Sequence, residues 1–274
     1  MTSGAFGNRI LLLAYVVTLV LLPFKALADI SIKETVLQEG IFRLPSQDPS
    51  CADAEKAGLS CDCQSNVRYP VVEGMTNKQV QDRLNDRFRR FAQLFTCTGE
   101  LQSEADNPER LMIRRTMVYR ITFQSEDFLS LLFTTYTRTL DTNSSVLGQE
   151  GWLLDLKTGQ KVEPHQVIRK SDWKINRHVF KLLAQPESIG PRIVDYTEKT
   201  KSDFFSNGRC LYPCSYIVDG QGLHLLFAPG TIHPMLSTLV DVVLDSHFLR
   251  TIKVDKAVMH AVEKATASRP GGKK

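Results

Sequence analysis

The sequence predicts an α+β fold, in which a mixed, mainly antiparallel sheet is packed by a few helices. Three observations carry that expectation. Met117 to Phe123 and Phe128 to Arg138 place large apolar residues at alternate positions, as strands do. Val80, Leu84, Phe88, Phe91 and Phe95 recur at three- and four-residue spacings and so share one stripe of a helix. The two kinds of segment also lack the regular alternation that a parallel, doubly wound sheet needs.

Taken in chain order, residues 29–66 read as a cysteine-rich, irregular segment. Pro45, Pro49, Gly58 and three cysteines crowd it, and periodic pattern fades after Phe42-Arg43-Leu44. A short first strand and a disulfide-pinned loop are expected. Thr76-Asn77-Lys78-Gln79 fits a capping box that opens a helix from Asn77 to Phe95, packed on a sheet. Arg83, Arg87, Arg89 and Arg90 form its wet face.

A hairpin follows, turning at Ser125-Glu126-Asp127. Met117, Tyr119, Ile121 and Phe123 share a face of its first strand. Its second strand carries Leu129, Leu131 and Phe133 on one side and Leu132, Thr134 and Tyr136 on the other, which makes it central. After a polar loop from Asp141 to Gly151, Trp152 to Leu156 is a strand closed by Lys157-Thr158-Gly159, with Asp155 bonding the turn as an Asx motif. Ser171 or Asp172 caps a helix bearing Ile175, Val179, Leu182 and Leu183. Ser215 to Val218 and Leu223 to Phe227 form a hairpin around Asp219-Gly220-Gln221-Gly222, followed by a strand at Val240 to Leu244. Asp255 caps a last helix with Val258, Ala261, Val262 and Ala265 at helical spacing, and residues 253–274 are read as this helix and a fraying tail.

The first residues point to a compartment. Arg9 leads into the apolar run Ile10 to Leu22, Pro23 ends it, and Ala26-Leu27-Ala28 supplies small residues for a cut before Asp29. Residues 1–28 are read as an export signal, because thirteen apolar residues fall short of the ~20 of a membrane span. Arg9 and Lys25 leave with it, so 32 of the 34 basic residues face 30 acids. That balance argues against a nucleic-acid binder. A periplasmic or secreted chain with no later span is expected. All six cysteines, Cys51, Cys61, Cys63, Cys97, Cys210 and Cys214, lie beyond the signal, and an even count in an exported chain favours disulfides. Pro213 can turn Cys210 toward Cys214, and the other four allow three pairings. A metal site is not expected, since no histidine accompanies Cys61-Asp62-Cys63.

Four segments, in order, carry a resemblance. They are Tyr69-Pro70-Val71-Val72, Phe128 to Tyr136, Trp152 to Gly159, and Gly222 to Pro229. Together they resemble the extracytoplasmic domain shared by the anti-sigma factor RsiV and the non-catalytic N-terminal half of the peptidoglycan deacetylase PdaC, over residues 67–252. The resemblance implies an α+β module, one that binds lysozyme in the anti-sigma factor. This chain departs where relatives carry Gly-Ala-His after the tyrosine matched by Tyr136, for here it reads Thr137-Arg138-Thr139. It also shows no sigma-binding segment ahead of a span, which excludes an anti-sigma role. With a bacterial resemblance, the Asn143-Ser144-Ser145 sequon is a chance match.

No catalytic signature survives. Among His165, His178, His224, His233, His247 and His260 there is no His-Glu-x-x-His, and no Gly-x-Ser-x-Gly elbow or phosphate loop exists. No catalytic residue, metal or cofactor is assigned. The reading is an exported, non-enzymatic module binding an envelope protein, such as a lysozyme-like muramidase, or cell-wall glycan. The alternative is an envelope hydrolase joining His224 or His233 to an acid. Tyr136, Asp141, Asn143, Trp152, Tyr212 and His233 form the expected contact surface, on and beside the loops Thr139–Gln149 and Ser206–Cys214.

Overall fold

The computed structural model describes residues 30–45, 48, 51, 56–102, 110–139, 144–168, 172–183, 205–206, 209–210, 214–227 and 240–267. The expected export signal, Ser171 and the tail beyond residue 267 lie outside them. The α+β expectation is met: a large mixed sheet carries one helix on one face and a small sheet with helices on the other.

The large sheet has seven strands: β1 (Ser31–Arg43), β2 (Ser60–Glu73), β3 (Glu100–Gln102), β4 (Arg110–Gln124), β5 (Phe128–Thr139), β6 (Ser144–Asp155) and β7 (Gln160–Lys161). Their order is β3-β1-β2-β4-β5-β6-β7, and only β2 and β4 pair in parallel. A parallel pair needs a crossover, and helix α1 (Lys78–Gln93) lies in that connection. Its buried stripe Val80, Leu84, Phe88 and Ala92 meets Met117, Leu129, Leu131, Phe133, Trp152 and Leu154. Asn85 ties it to β2, accepting from the Val72 N–H at 2.7 Å and donating to the Val72 carbonyl at 3.0 Å.

Several sequence expectations need correction here. Residues 29–66 are not irregular throughout, because β1 and β2 pair from Ser31–Glu73 to Arg43–Asp62, and β2 runs unbroken past residue 67. Period two survives in this stretch as Cys61 and Cys63 on one face, a pattern hidden by counting only aliphatic residues. The helix cap is Asn77, whose Oδ1 accepts from the Val80 N–H; Gln81, not Gln79, reaches back, to the Met75 N–H. The loop expected at Asp141 to Gly151 is strand from Ser144 onward, since β6 pairs with the whole of β5. Finally, Phe123 does not share a face with Met117 and Tyr119. A bulge between Ile121 and Phe123 reverses the alternation. It sends Phe123 into the opposite core and leaves Ile121 exposed.

On that opposite face sits a small antiparallel sheet of β10 (Cys214–Asp219), β11 (Gly222–Phe227) and β12 (Val240–Leu244). The two-residue pieces β8 (Phe205–Ser206) and β9 (Arg209–Cys210) pair separately. Helices α2 (Pro164–Val167), α3 (Asp172–Leu183), α4 (Ser246–Leu249) and α5 (Lys256–Ala267) complete the chain. Ile175 and Val179 of α3 and Val258, Ala261, Val262 and Ala265 of α5 are buried with Phe123, Phe128, Leu153, Tyr216, Leu225 and Phe227. Asp255 caps α5 as expected, accepting from the Ala257 and Val258 N–H groups.

The seam between the sheets is narrow. A Cβ added to Gly151 of β6 would stand 2.6 Å from the Tyr216 carbonyl oxygen of β10. The Gly151 N–H donates to Ser215 Oγ at 2.8 Å, and fully buried Ser130 accepts from the Val218 N–H at 2.9 Å and the Thr122 hydroxyl at 2.8 Å.

A third small core holds Leu44, Leu111, Ile113 and two disulfides, Cys51–Cys61 and Cys63–Cys97. Cys214 is also disulfide-bonded, while the side chain of its expected partner Cys210 lies outside the described set. The exit of α1 is further held by Gln38, which donates to the Cys97 carbonyl and accepts from its N–H.

Three outcomes follow for urea melts. Gly151→Ala forces the two backbones apart and should lower stability by about 1–3 kcal/mol. Ser130→Ala strands the Val218 N–H and should cost about 1–3 kcal/mol. Reducing the disulfides should cost about 2–4 kcal/mol for each bridge.

Candidate functional site

Of the expected contact residues the structure describes Tyr136 and Trp152, and it turns them to opposite faces of the large sheet. Tyr136 is half-buried on β5, paired with Thr116 and Leu147, on the face opposite α1. Exposed Val118, Leu147 and Arg120 lie on the same face. Trp152 is not a contact residue. It is 5 % exposed, because β6 aims it at α1, where its ring lies 4.9–5.9 Å from Phe91, Phe133 and Phe88. Its indole N–H is satisfied by Glu150 Oε1 at 2.6 Å, which in turn takes Lys161 Nζ. Asp141, Asn143, Tyr212 and His233 lie outside the described residues, as does most of the Ser206–Cys214 loop.

Arg83, Arg89 and Arg90 of the α1 cluster are exposed as expected, whereas Arg87 is half-buried with its Nη1 out of contact with solvent. Arg89 and Arg90 pair with Asp86, and Arg83 donates to the Thr158 carbonyl. Asp155 forms the expected Asx motif, accepting from the Lys157 and Thr158 N–H groups.

Among the described residues, His224 of β11 is the histidine that hydrogen-bonds to acids. It is 5 % exposed, with Nδ1 at 2.9 and 3.0 Å from the two Asp241 oxygens and Nε2 at 2.7 Å from Asp219 Oδ1. The hairpin explains the second contact: Asp219 and Gly222 pair at its mouth, and Asp219 also accepts from the Gln221 and Gly222 N–H groups. Asp241 arrives from the neighbouring strand β12. Burial works against the charged ring, but the Asp241 and Asp219 carboxylates outweigh it and raise its pKa above the ordinary value. An imidazolium that donates from both nitrogens has no lone pair with which to take a proton from a substrate. His224 therefore clamps the three strands.

A different place offers open, unspent chemistry. Trp173, Lys174, Arg177, His178 and Lys181 lie along α3, and with Phe248 of α4 they line a cavity of about 350 Å³. That is the lower range of small-ligand pockets. Helical spacing builds it: Trp173, Arg177 and Lys181 recur every four residues, as do Lys174 and His178, opposite the buried Ile175 and Val179. His178 stacks on Phe248 with centroids 3.7 Å apart. Burial pushes its pKa down, with Asp245 opposing and Lys181 assisting, which favours the neutral ring. Lys174 donates to the Thr251 carbonyl and sits 5.9 Å above the Trp173 ring. Trp173 is 64 % exposed. Sequence reasoning followed only the apolar stripe of this helix. The basic and aromatic stripe beside it was legible, but Phe248, seventy residues on, was not.

Two solved structures share this fold. A member of the DUF3298 family from Bacteroides fragilis NCTC 9343 aligns with a TM-score of 0.57 at 10% identity, covering 87% of this chain and 99% of its own. A DUF3298 family protein from Pseudomonas aeruginosa PAO1 aligns with a TM-score of 0.50 at 9% identity, covering 85% and 98%. Identity this low carries the fold alone. No family profile and no curated protein matches the chain.

The His224 clamp has a signed pH dependence. Its folded pKa lies above the unfolded value of about 6.5, so its contribution is complete below that value and is lost as pH rises through the folded pKa. The urea midpoint should therefore fall as pH rises above about 6.5. A His224→Gln protein should start lower and show a flatter profile.

Proposed function

We propose that this chain is an exported, non-enzymatic module that binds a protein or glycan of the cell envelope. The observation that supports it is the open pocket of α3 and α4, where cations and aromatic rings converge without a paired acid and base. The one described histidine joined to acids spends both nitrogens on them, which disfavours the hydrolase alternative. The resemblance to the RsiV and PdaC extracytoplasmic domain supports a binding role.

In this reading residues 1–28 direct export, and the two described disulfides suit an oxidising compartment. The binding module spans residues 67–252 with β1 and the start of β2 added to it, and residues 253–274 supply the last helix and tail. Among the described residues no helix is long and apolar enough to cross a membrane. A wall glycan is preferred over a muramidase as ligand, because the pocket is cationic and small.

Sedimentation with purified sacculi tests the proposal. The mature chain should pellet with them, and pull-down from periplasm should lose its signal after muramidase digestion. Reducing ends should not accumulate. A chain that stays in the supernatant and enriches nothing from periplasm under either condition overturns the binding reading.

A further inference from the structure

The geometry points to the α3–α4 pocket as a site for an acidic sugar, a ring carrying an oxyanion. This rests on the binding reading and deepens it by naming the site and the ligand chemistry. Among the described residues, no carboxylate pairs with Lys174, Arg177 or Lys181. Elsewhere the described surface pairs its cations readily, as at Lys33–Glu73, Arg68–Glu34, Lys157–Asp127 and Arg250–Glu263. Asp245 is the acid whose charge acts on His178, and its Oδ1 accepts from the Phe248 N–H as the cap of α4. Among the described residues, the pocket thus sets three cations that no carboxylate pairs beside flat apolar surface.

Those two features divide a ligand between them. The guanidinium of Arg177 presents parallel donors that match a carboxylate, and Lys181, one turn further on, adds a second charge. Exposed Trp173 and the His178–Phe248 stack offer ring faces to the C–H side of a sugar. A neutral sugar would leave the cations unused, and a simple anion would leave the rings unused.

N-Acetylmuramic acid and N-acetylglucosamine make a matched pair of probes, since they share the ring and differ by a lactyl carboxylate. The chain has two tryptophans, and the other, Trp152, is buried, so ligand-dependent emission reports Trp173. The expected result is a saturable change with N-acetylmuramic acid, at least about tenfold weaker with N-acetylglucosamine. It should disappear from emission in Trp173→Phe, and the Kd by calorimetry should rise at least about tenfold in Arg177→Glu/Lys181→Glu and less in Arg177→Gln/Lys181→Gln. Unchanged urea midpoints verify folding of these surface variants. Glucuronate binding as tightly as N-acetylmuramic acid would assign the site to acidic sugars at large, and weaker binding to muramic acid with a free lactyl carboxylate, as in peptide-free wall glycan. Equal affinity for the neutral sugar, no saturable response to either, or an unaltered Kd in the charge-reversed protein overturns the site. Sacculus binding that persists in the charge-reversed protein removes this site while the envelope-binding reading stands.

Discussion

Gly151 is where the two sheets of this protein come close enough to touch backbone to backbone. With no Cβ there, the Tyr216 carbonyl of β10 can approach β6, and the hydroxyls of Ser130 and Ser215 accept the strand N–H groups that such a dry seam would otherwise orphan. The small sheet is held on the large one by this seam and by the apolar core beside it. The α3 helix packs into that same core through Ile175 and Val179. Every feature considered for function on the second face, the His224 clamp and the α3–α4 pocket alike, inherits its position from that approach.

The molecule uses charge in two opposite ways. At His224 a buried imidazole, its pKa raised by two carboxylates, is held between them across three strands, so its electrostatics go into holding the sheet. Burial of such a group is costly unless both nitrogens are satisfied, and here they are. On α3, Lys174, Arg177 and Lys181 have no carboxylate partner among the described residues and stand next to an exposed indole. Solvation keeps that arrangement inexpensive in the free protein, while a ligand that displaces the water meets an unpaired charge. The first arrangement stiffens the scaffold and the second leaves something to be bound.

At the other end, the disulfide core acts where hydrophobic burial is thin. Leu44, Leu111 and Ile113 are few, and Cys51–Cys61 and Cys63–Cys97 tie the loop before β2 and the exit of α1 to the same strand. The parallel β2–β4 pairing begins here, so these bridges also steady the one crossover of the large sheet.

What the sequence by itself determined was local. Period two wrote β5 and the β10–β11 hairpin, the spacing of Val80, Leu84 and Phe88 wrote α1, and Asp155 and Asp255 wrote a turn and a cap, because each depends on neighbours within a few residues. Tertiary structure decided the rest. A bulge at Ile121–Phe123 turned Phe123 to the other core, pairing with β5 extended β6 through residues that read as loop, and α1 turned Trp152 inward. The pairing of His224 with Asp241 and the meeting of Phe248 with His178 likewise join residues whose separation along the chain encodes no distance. Strand register and helix docking set those distances, and both are chosen by the total burial and hydrogen bonding of the folded chain.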